Sequence, residues 1–282
     1  MSSLNESRRP PADVARHLRR EAGFGCCVCG GPIIQYHHIV EWKVEKHFRL
    51  EDMMVLCPIH HDQASKGAMP EAEQREAKAS PHNVRRGLAD GLLKVRQDYC
   101  AMDVGSLTLV GEGPFIRIDG EDLLSLYLGE KRLEISLQLY DENDNLLLLI
   151  ERNEWIAGDP LPWDLEADWQ LLILRERHRK ISLSLNAKLI PMQVTADLWR
   201  SGKLIKLDAN GIQISGVLAR GVHLAEMALI GAQLEISTKT LSIGYPIGAG
   251  IFSWPHRRER LWRARDAWRR LKAERGPHLE NP

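Results

Sequence analysis

The chain has little that would anchor or export it. Its longest aliphatic run, Leu146 to Ile150, is strand-sized, far short of the ~20 residues that span a bilayer. The opening stretch, Met1 to Pro10, is polar and lacks the apolar core of a signal peptide. Only five cysteines occur in 282 residues, four of them between Cys26 and Cys57. That excludes an extended disulfide framework and fits a reducing cytoplasm. The net charge is zero but unevenly placed. Lys+Arg against Asp+Glu is 15 to 13 over residues 1–100, 14 to 21 over 101–250, and 9 to 4 over 251–282. Overall charge therefore says little about a polyanionic partner, and its distribution says more. The length suffices for two domains with separate cores.

What the chain does have is a dense cluster between Cys26 and His61. Two knuckles, Cys26-x-x-Cys29 and Cys57-x-x-His60, have 27 residues between their inner members. Three thiolates and an imidazole at that spacing suit a closed tetrahedral zinc site, with no position left open for chemistry. Cys27 is an alternative ligand, although the two-residue spacer favours Cys26 and Cys29. Between and just after the knuckles lie the pair His37-His38, the acidic Asp52, and His61. A structural zinc needs four ligands, so these residues are surplus to it. A zinc-ribbon adaptor without activity is the competing reading, and it gives the surplus histidines nothing to do. Cys100 stands apart and reads as a small buried apolar residue.

The combination Cys26-x-x-Cys29, His37-His38, Asp52-Met53-Met54-Val55-Leu56 and Cys57-x-x-His60-His61 resembles the HNH endonucleases. These are the His-Me finger or ββα-metal nucleases, here in the zinc-clamped variety. The resemblance covers roughly residues 12–100. It implies a structural Zn2+ on Cys26, Cys29, Cys57 and His60, a catalytic divalent ion on His37 and His61, and His38 as general base. Asp52 stands where the family usually has Asn or His, and keeps an acceptor that can orient His38. His60 replaces a usual Cys, a conservative change for zinc. The substrate implied is DNA, with RNA using the same chemistry. Imidazole ligands are softer than carboxylates and would admit Mn2+ or Ni2+ beside Mg2+. One such site cuts one strand, so double-strand cleavage implies a homo-oligomer, most simply a dimer. By analogy of architecture, a gated restriction or anti-phage effector is the expectation.

The expected fold class is α+β: a ββα-metal domain with a zinc clamp, then a mostly antiparallel β-rich domain and a C-terminal helix. Residues 1–11 read as a disordered lead-in. Within 12–100, Asp13 would cap a helix over about 14–22. Strands follow near 33–39 and 52–56, then helices opening at His61 and spanning Glu71 to Lys78. Adjacent residues on a strand face opposite sides, so His37 and His38 can serve metal and water separately only where the strand bends.

Over residues 101–250, alternating runs such as Leu133 to Tyr140 and a turn at Asp141–Asn145 predict a sandwich or stacked sheet. One predicted strand begins at Trp169. No glycine-rich phosphate loop and no catalytic cluster occur there. An acidic β domain is a poor DNA clamp, so an activating ligand or partner protein is the expected role. Residues 251–282 read as a basic helix from about Ser253 to Glu274. Its stripe Leu261, Ala264, Trp268 and Leu271 must pack on this chain or a second copy. Arg260 and its neighbours would cover the remaining face. The candidate nucleic-acid contacts are Arg16, Arg19, Arg20, Lys43, Arg263 and Arg270.

Overall fold

The structure, a computed structural model, describes residues 8–158, 161–215, 221–237, 240–244 and 250–275. Residues 1–7 of the expected lead-in, and residues 276–282 after the tail helix, lie outside the described residues. The protein is an α+β, strand-rich chain with a C-terminal helix. No helix among the described residues is long and apolar enough to cross a membrane.

Helix α1 (Ala12–Glu21) starts at Pro11, not at Asp13. The proline holds the cap position, and Asp13 falls in the first turn, where a carboxylate meets the positive helix end. Strands β1 (Gln35–His38) and β2 (Met53–Leu56) pair antiparallel, with His37 opposite Met54 and His38 opposite Met53. Helix α2 (Pro58–Ser65) begins three residues before the expected His61 because Pro58 is preset for a first helical turn. Helix α3 (Glu71–Ala79) has Glu71 and Glu73 in its first turn and Lys78 in its last, matching the dipole at both ends. Helix α4 (His82–Arg86) stops at Gly87, whose φ of +70° is a left-handed cap. These pieces share a small core around Leu18, Ala22, Met53, Met54, Val55 and Leu56.

The chain enters the β-rich body at β3 (Ala89–Leu92), which pairs with a strand some sixty residues downstream. The expected boundary at residue 100 therefore moves back to about 88. Strands β4 (Ala101–Val104), β5 (Leu107–Val110), β6 (Gly113–Ile118), β7 (Glu121–Gly129), β8 (Arg132–Tyr140), β9 (Leu146–Glu151) and β10 (Glu154–Ala157) follow. Then come β11 (Asp164–Asp168), β12 (Leu171–Arg177), β13 (Lys180–Asn186), β14 (Met192–Arg200), β15 (Lys203–Asp208) and β16 (Gly211–Ser215). The last are β17 (Val222–Leu224), β18 (Met227–Ile230), β19 (Gln233–Ile236), β20 (Leu241–Gly244) and β21 (Gly250–Ser253). Among the described residues, these form an eight-stranded sheet running β20-β19-β6-β7-β8-β9-β10-β3 and a second, eleven-stranded sheet. Pairing is antiparallel except at β4/β14, β5/β18 and β6/β19.

Both sheets bury alternate residues in one shared core, for example Leu133, Ile135, Leu137 and Leu139 from β8 and Val194, Ala196 and Leu198 from β14. That is the period-two pattern of a half-buried strand. Trp169 sits in the turn between β11 and β12, half exposed, so the strand expected to begin there starts two residues later. Cys100 is buried in this core.

Helix α5 (Arg257–Arg275) packs on β4, β5 and β18 of its own chain. Ala264, Trp268 and Leu271 are buried as the stripe predicts, while Leu261 is half-buried. Arg260 departs from expectation: it is 2% exposed, with its guanidinium donating to the carbonyls of Gly105, Trp254 and Pro255. It plugs the foot of the helix and does not join the solvent face. Asp103, fully buried on β4, is met there by Arg257 at 3.1 Å.

Candidate metal centre and active-site cleft

The first knuckle is a tight loop. Cys26 N–H donates to Gly31 O at 2.9 Å, and Gly30 N–H returns to Cys26 O at 2.8 Å. A Cβ on Gly25 would lie 2.2 Å from the Gly30 carbonyl, so that position requires glycine. Cys27 N–H donates to Val55 O, fixing the loop to β2. Buried Asn83 of α4 donates from Nδ2 to both Gly23 O and Gly30 O at 3.0 and 3.1 Å, clamping the knuckle from outside. The second knuckle is the entry to α2: Cys57 precedes Pro58, and His60 lies in the first turn.

The two knuckles bring four donors together. Ligand atoms of Cys26, Cys29, Cys57 and His60 all lie within 4.8 Å of one another. His60 Nδ1 is 3.1 Å from Cys57 Sγ and 3.4 Å from Cys26 Sγ, and the Cys29 and Cys57 sulfurs are 3.8 Å apart. A tetrahedral zinc with ~2.3 Å bonds to sulfur needs ligand separations of roughly 3.8 Å. The group can hold a metal such as zinc. Burial pushes the Cys26 thiol up to about 12, so its thiolate calls for a cation beside it. Cys27, the alternative ligand, lies outside the group, buried in the small core and also pushed up by burial, to about 11.

On the other side of β1 opens a cleft of about 680 Å³, lined by His37, His38, His61, Trp42, Lys43 and Gln74 among others. His37 and His61 face each other edge to face, their ring centroids 5.1 Å apart. His37, 8% exposed, sets its Nε2–H on Gln74 Oε1 at 3.1 Å, and Gln74 in turn donates from Nε2 to Met69 O at 2.9 Å. The second bond fixes which way the amide points. His37 therefore keeps Nδ1 as a lone-pair nitrogen.

His38 turns the other way at the end of β1, against Trp42 and His47 at 5.1 and 5.3 Å. Its Nε2–H donates to His47 O at 3.2 Å, leaving Nδ1 as the accepting nitrogen. His47 is itself pinned. Its Nε2–H goes to Val40 O at 2.9 Å, and its Nδ1 accepts from Arg49 N–H at 3.3 Å. Burial, with repulsion from His61, lowers His37 to about 4, and burial likewise lowers His38 and His61. All three imidazoles are neutral near pH 7, the form that binds metals and accepts protons.

Asp52 is not the group that orients His38. Its carboxylate accepts from Arg49 Nε at 2.7 Å and Arg75 Nη2 at 3.2 Å, and its backbone carbonyl accepts from Ile39 N–H. It ties the loop before β2 to α3, and the orienting acceptor for His38 is the His47 carbonyl. Arg75 and Arg49 hold the Asp52 carboxyl below its ordinary range.

The candidate nucleic-acid contacts separate. Arg19 is corrected: it is 7% exposed, forks onto Asp164 of β11 at 2.8 and 2.9 Å, and donates to Tyr36 OH at 2.7 Å. It joins α1 to the β-rich body and offers nothing to a phosphate. Arg16 lies over the Trp163 ring at 4.5 Å, and Arg20 is exposed. Lys43 lines the cleft, paired with Glu41. Arg263 pairs with Glu259 at 2.9 Å, and both Arg263 and Arg270 line a hollow with Trp262 of α5 and Trp254 just before it.

Gln74, His47 and Asn83 were missed from the sequence. Each acts through a tertiary contact, and none carries a local motif. No protein-family model matches the chain, and no curated protein or solved structure matches it either.

Proposed function

We propose that this chain is a zinc-clamped HNH-type, metal-dependent endonuclease acting on DNA. The observation that carries the reading is the pairing of His37 with His61 across the cleft, 5.1 Å apart, with His38 held beside them on a separate hydrogen-bond network. A zinc ribbon accounts for Cys26, Cys29, Cys57 and His60. It leaves three neutral, oriented imidazoles in one cleft without a purpose.

In this reading the knuckles hold structural zinc and stiffen the turn into α2, which aims His61 at β1. His37 Nδ1 and His61 would hold a divalent ion such as Mg2+, Mn2+ or Ni2+, which supplies Lewis-acid charge at the scissile phosphate. His38, neutral and tethered through Nε2, takes the proton of the attacking water on Nδ1. The His47 carbonyl stabilises the resulting imidazolium through the same Nε2–H bond. Gln74 keeps His37 in the tautomer that presents Nδ1 to the cleft. Two copies acting on one duplex would convert nicks into double-strand breaks.

The test is plasmid cleavage by full-length protein with Mg2+, Mn2+ or Ni2+, beside His38→Ala. The expected loss is ~10²–10⁴-fold, the usual worth of a general base, with zinc content unchanged. Equal cutting by both proteins, or none by either with any metal on DNA, sinks the assignment.

A further inference from the structure

The β-rich body is acidic as a whole, yet the end of β12, the turn and the start of β13 read Arg175-Glu176-Arg177-His178-Arg179-Lys180. The tip of this turn lines the same hollow as α1. That hollow, of about 440 Å³, is lined by Arg16 and Tyr36 from the N-terminal half and by Trp163, His178 and Arg179 from the β-rich body. It meets the active-site cleft at Tyr36, which lines both, with Arg8 on the cleft side and Arg9 on the hollow side. At its far end it shares Arg16 and Trp163 with a third hollow of about 330 Å³ that opens onto His17 and Arg20. Three hollows thus run as one track from the catalytic histidines over the seam between the two halves of the chain.

The charge along that track is decided by which groups are already paired. Asp164 on the floor is taken up by Arg19 at 2.8 Å and Arg175 at 3.1 Å, and Glu166 by Arg175 at 2.5 Å. Asp13 is the acid at the far end. Arg8, Arg16, Arg20 and Arg179 have no carboxylate partner among the described residues, and Arg8, Arg20 and Arg179 are exposed. The two acids on the floor are neutralised, Asp13 is the one acid set against the four arginines, and Arg8, Arg20 and Arg179 face outward. Trp163, with Arg16 at 4.5 Å and His178 at 6.0 Å, adds an aromatic face midway.

We propose that the nucleic-acid backbone entering the active-site cleft continues along this track, its phosphates meeting Arg8, Arg16, Arg179 and Arg20. The β-rich body then supplies Arg179, from this turn, and the Trp163 ring to the substrate-holding surface. This rests on the nuclease reading. A polyanion with regularly spaced phosphates is the ligand that a row of unpaired guanidiniums continuous with a phosphodiester-cleaving site fits. The buried Arg19–Asp164 fork is what keeps the two walls in register.

The experiment is fluorescence anisotropy of a labelled DNA duplex of about 30 bp against full-length, zinc-loaded His38→Ala protein, between about 50 and 200 mM salt. Arg20→Glu/Arg179→Glu is compared in that background with Lys131→Glu/Arg132→Glu, an equal charge reversal on the β7–β8 turn. Melting temperature and zinc content confirm folding, and Arg20→Lys/Arg179→Lys keeps the charge. The expected result is at least ~10-fold weaker binding by the track reversal and a log–log salt slope shallower by about 2. The lysine pair and the β7–β8 reversal bind like the parent.

Parent-like binding by the track reversal, while wild type cuts DNA, overturns the track and leaves the nuclease standing. An equal loss in the β7–β8 reversal also overturns it, because bulk charge then explains the effect. If wild type cuts neither DNA nor RNA and the His38→Ala protein binds neither, the nuclease reading fails and the track with it.

Discussion

The two halves of this chain are held together by different means. Over residues 12–88 the apolar core is small, and order comes from polar ties: the Cys26, Cys29, Cys57, His60 group, the Asn83 clamp on the first knuckle, and the Asp52 pairings with Arg49 and Arg75. From residue 89 on, two sheets share one large core whose buried members are almost all Leu, Ile, Val, Ala and Met. A unit that small buries little apolar surface, and a metal on the Cys26, Cys29, Cys57 and His60 group would supply the missing folding energy. The β-rich body, stable by burial, is free to carry a charged turn to the seam.

The sharpest way to break this contrast is to strip the Cys26, Cys29, Cys57 and His60 group of the metal it can hold. Chelation of the full-length protein, or Cys57→Ala, should unfold the N-terminal half while the β-rich body melts as before, because structural zinc contributes ~10 kcal/mol or more of folding energy. Calorimetry should show one transition lost and one kept. A single transition shifted as a whole would mean the halves are one cooperative unit.

Next in size is the tie between them. Arg19→Met leaves Asp164 buried, with Arg175 as its remaining cation. Breaking such a pair costs up to ~5 kcal/mol, and Arg175 should hold it to about 3. Arg19→Met with Asp164→Leu should recover most of that in urea denaturation. No recovery would assign the loss to packing around Arg19 and not to the stranded carboxylate.

The same contrast explains what could be read in advance. Knuckle spacing is a local signal, set by how few residues a tetrahedral site can bridge, and so Cys26, Cys29, Cys57 and His60 were legible. So were most strands of the β-rich body, from period-two alternation, and the α5 stripe. Strand order was not, because β3 pairing with β10 and β4 with β14 are long-range choices. Arg19 shows the limit most plainly. On an Arg-rich helix it looks like its neighbours Arg16 and Arg20, and only Asp164, 145 residues away, makes it structural. Asp52 failed as an orienting residue for the opposite reason. A backbone carbonyl, that of His47, took the role, and any residue can supply a carbonyl.

Within the core-built half, Arg257→Ala probes the one buried carboxylate under α5. Asp103 is buried and its carboxyl is raised by that burial, against the pull of Arg257. Arg257 is about half exposed, so the loss at pH 7 should be about 2 kcal/mol, below that of a fully buried pair. The sign with pH follows. The folded-state pKa lies above the unfolded one, so between the two the native chain binds more protons, and acidification relieves the variant. Urea titrations at neutral and mildly acidic pH should show the deficit shrinking as pH falls. A constant deficit would remove Asp103 from the explanation.

The smallest expected effect is in the N-terminal half, at Gln74. It touches no metal ligand atom that faces the cleft; it accepts the Nε2–H of His37 and is locked by Met69 O. Gln74→Leu keeps the bulk and removes the acceptor, so His37 loses its tautomer preference and leaves a buried N–H unpaired. Outer-shell partners of this kind are worth ~10–100-fold in metal affinity, and a neutral acceptor belongs at the low end, about tenfold. Calorimetric titration of Mn2+ into zinc-loaded full-length protein reads this directly, and Gln74→Glu, which restores an acceptor, should recover most of it. Cleavage by Gln74→Leu should then return at saturating metal, since His38 and its His47 tether are untouched. Activity that stays low at saturating Mn2+ would place Gln74 in the folding of α3 against β1 and not in the tuning of His37.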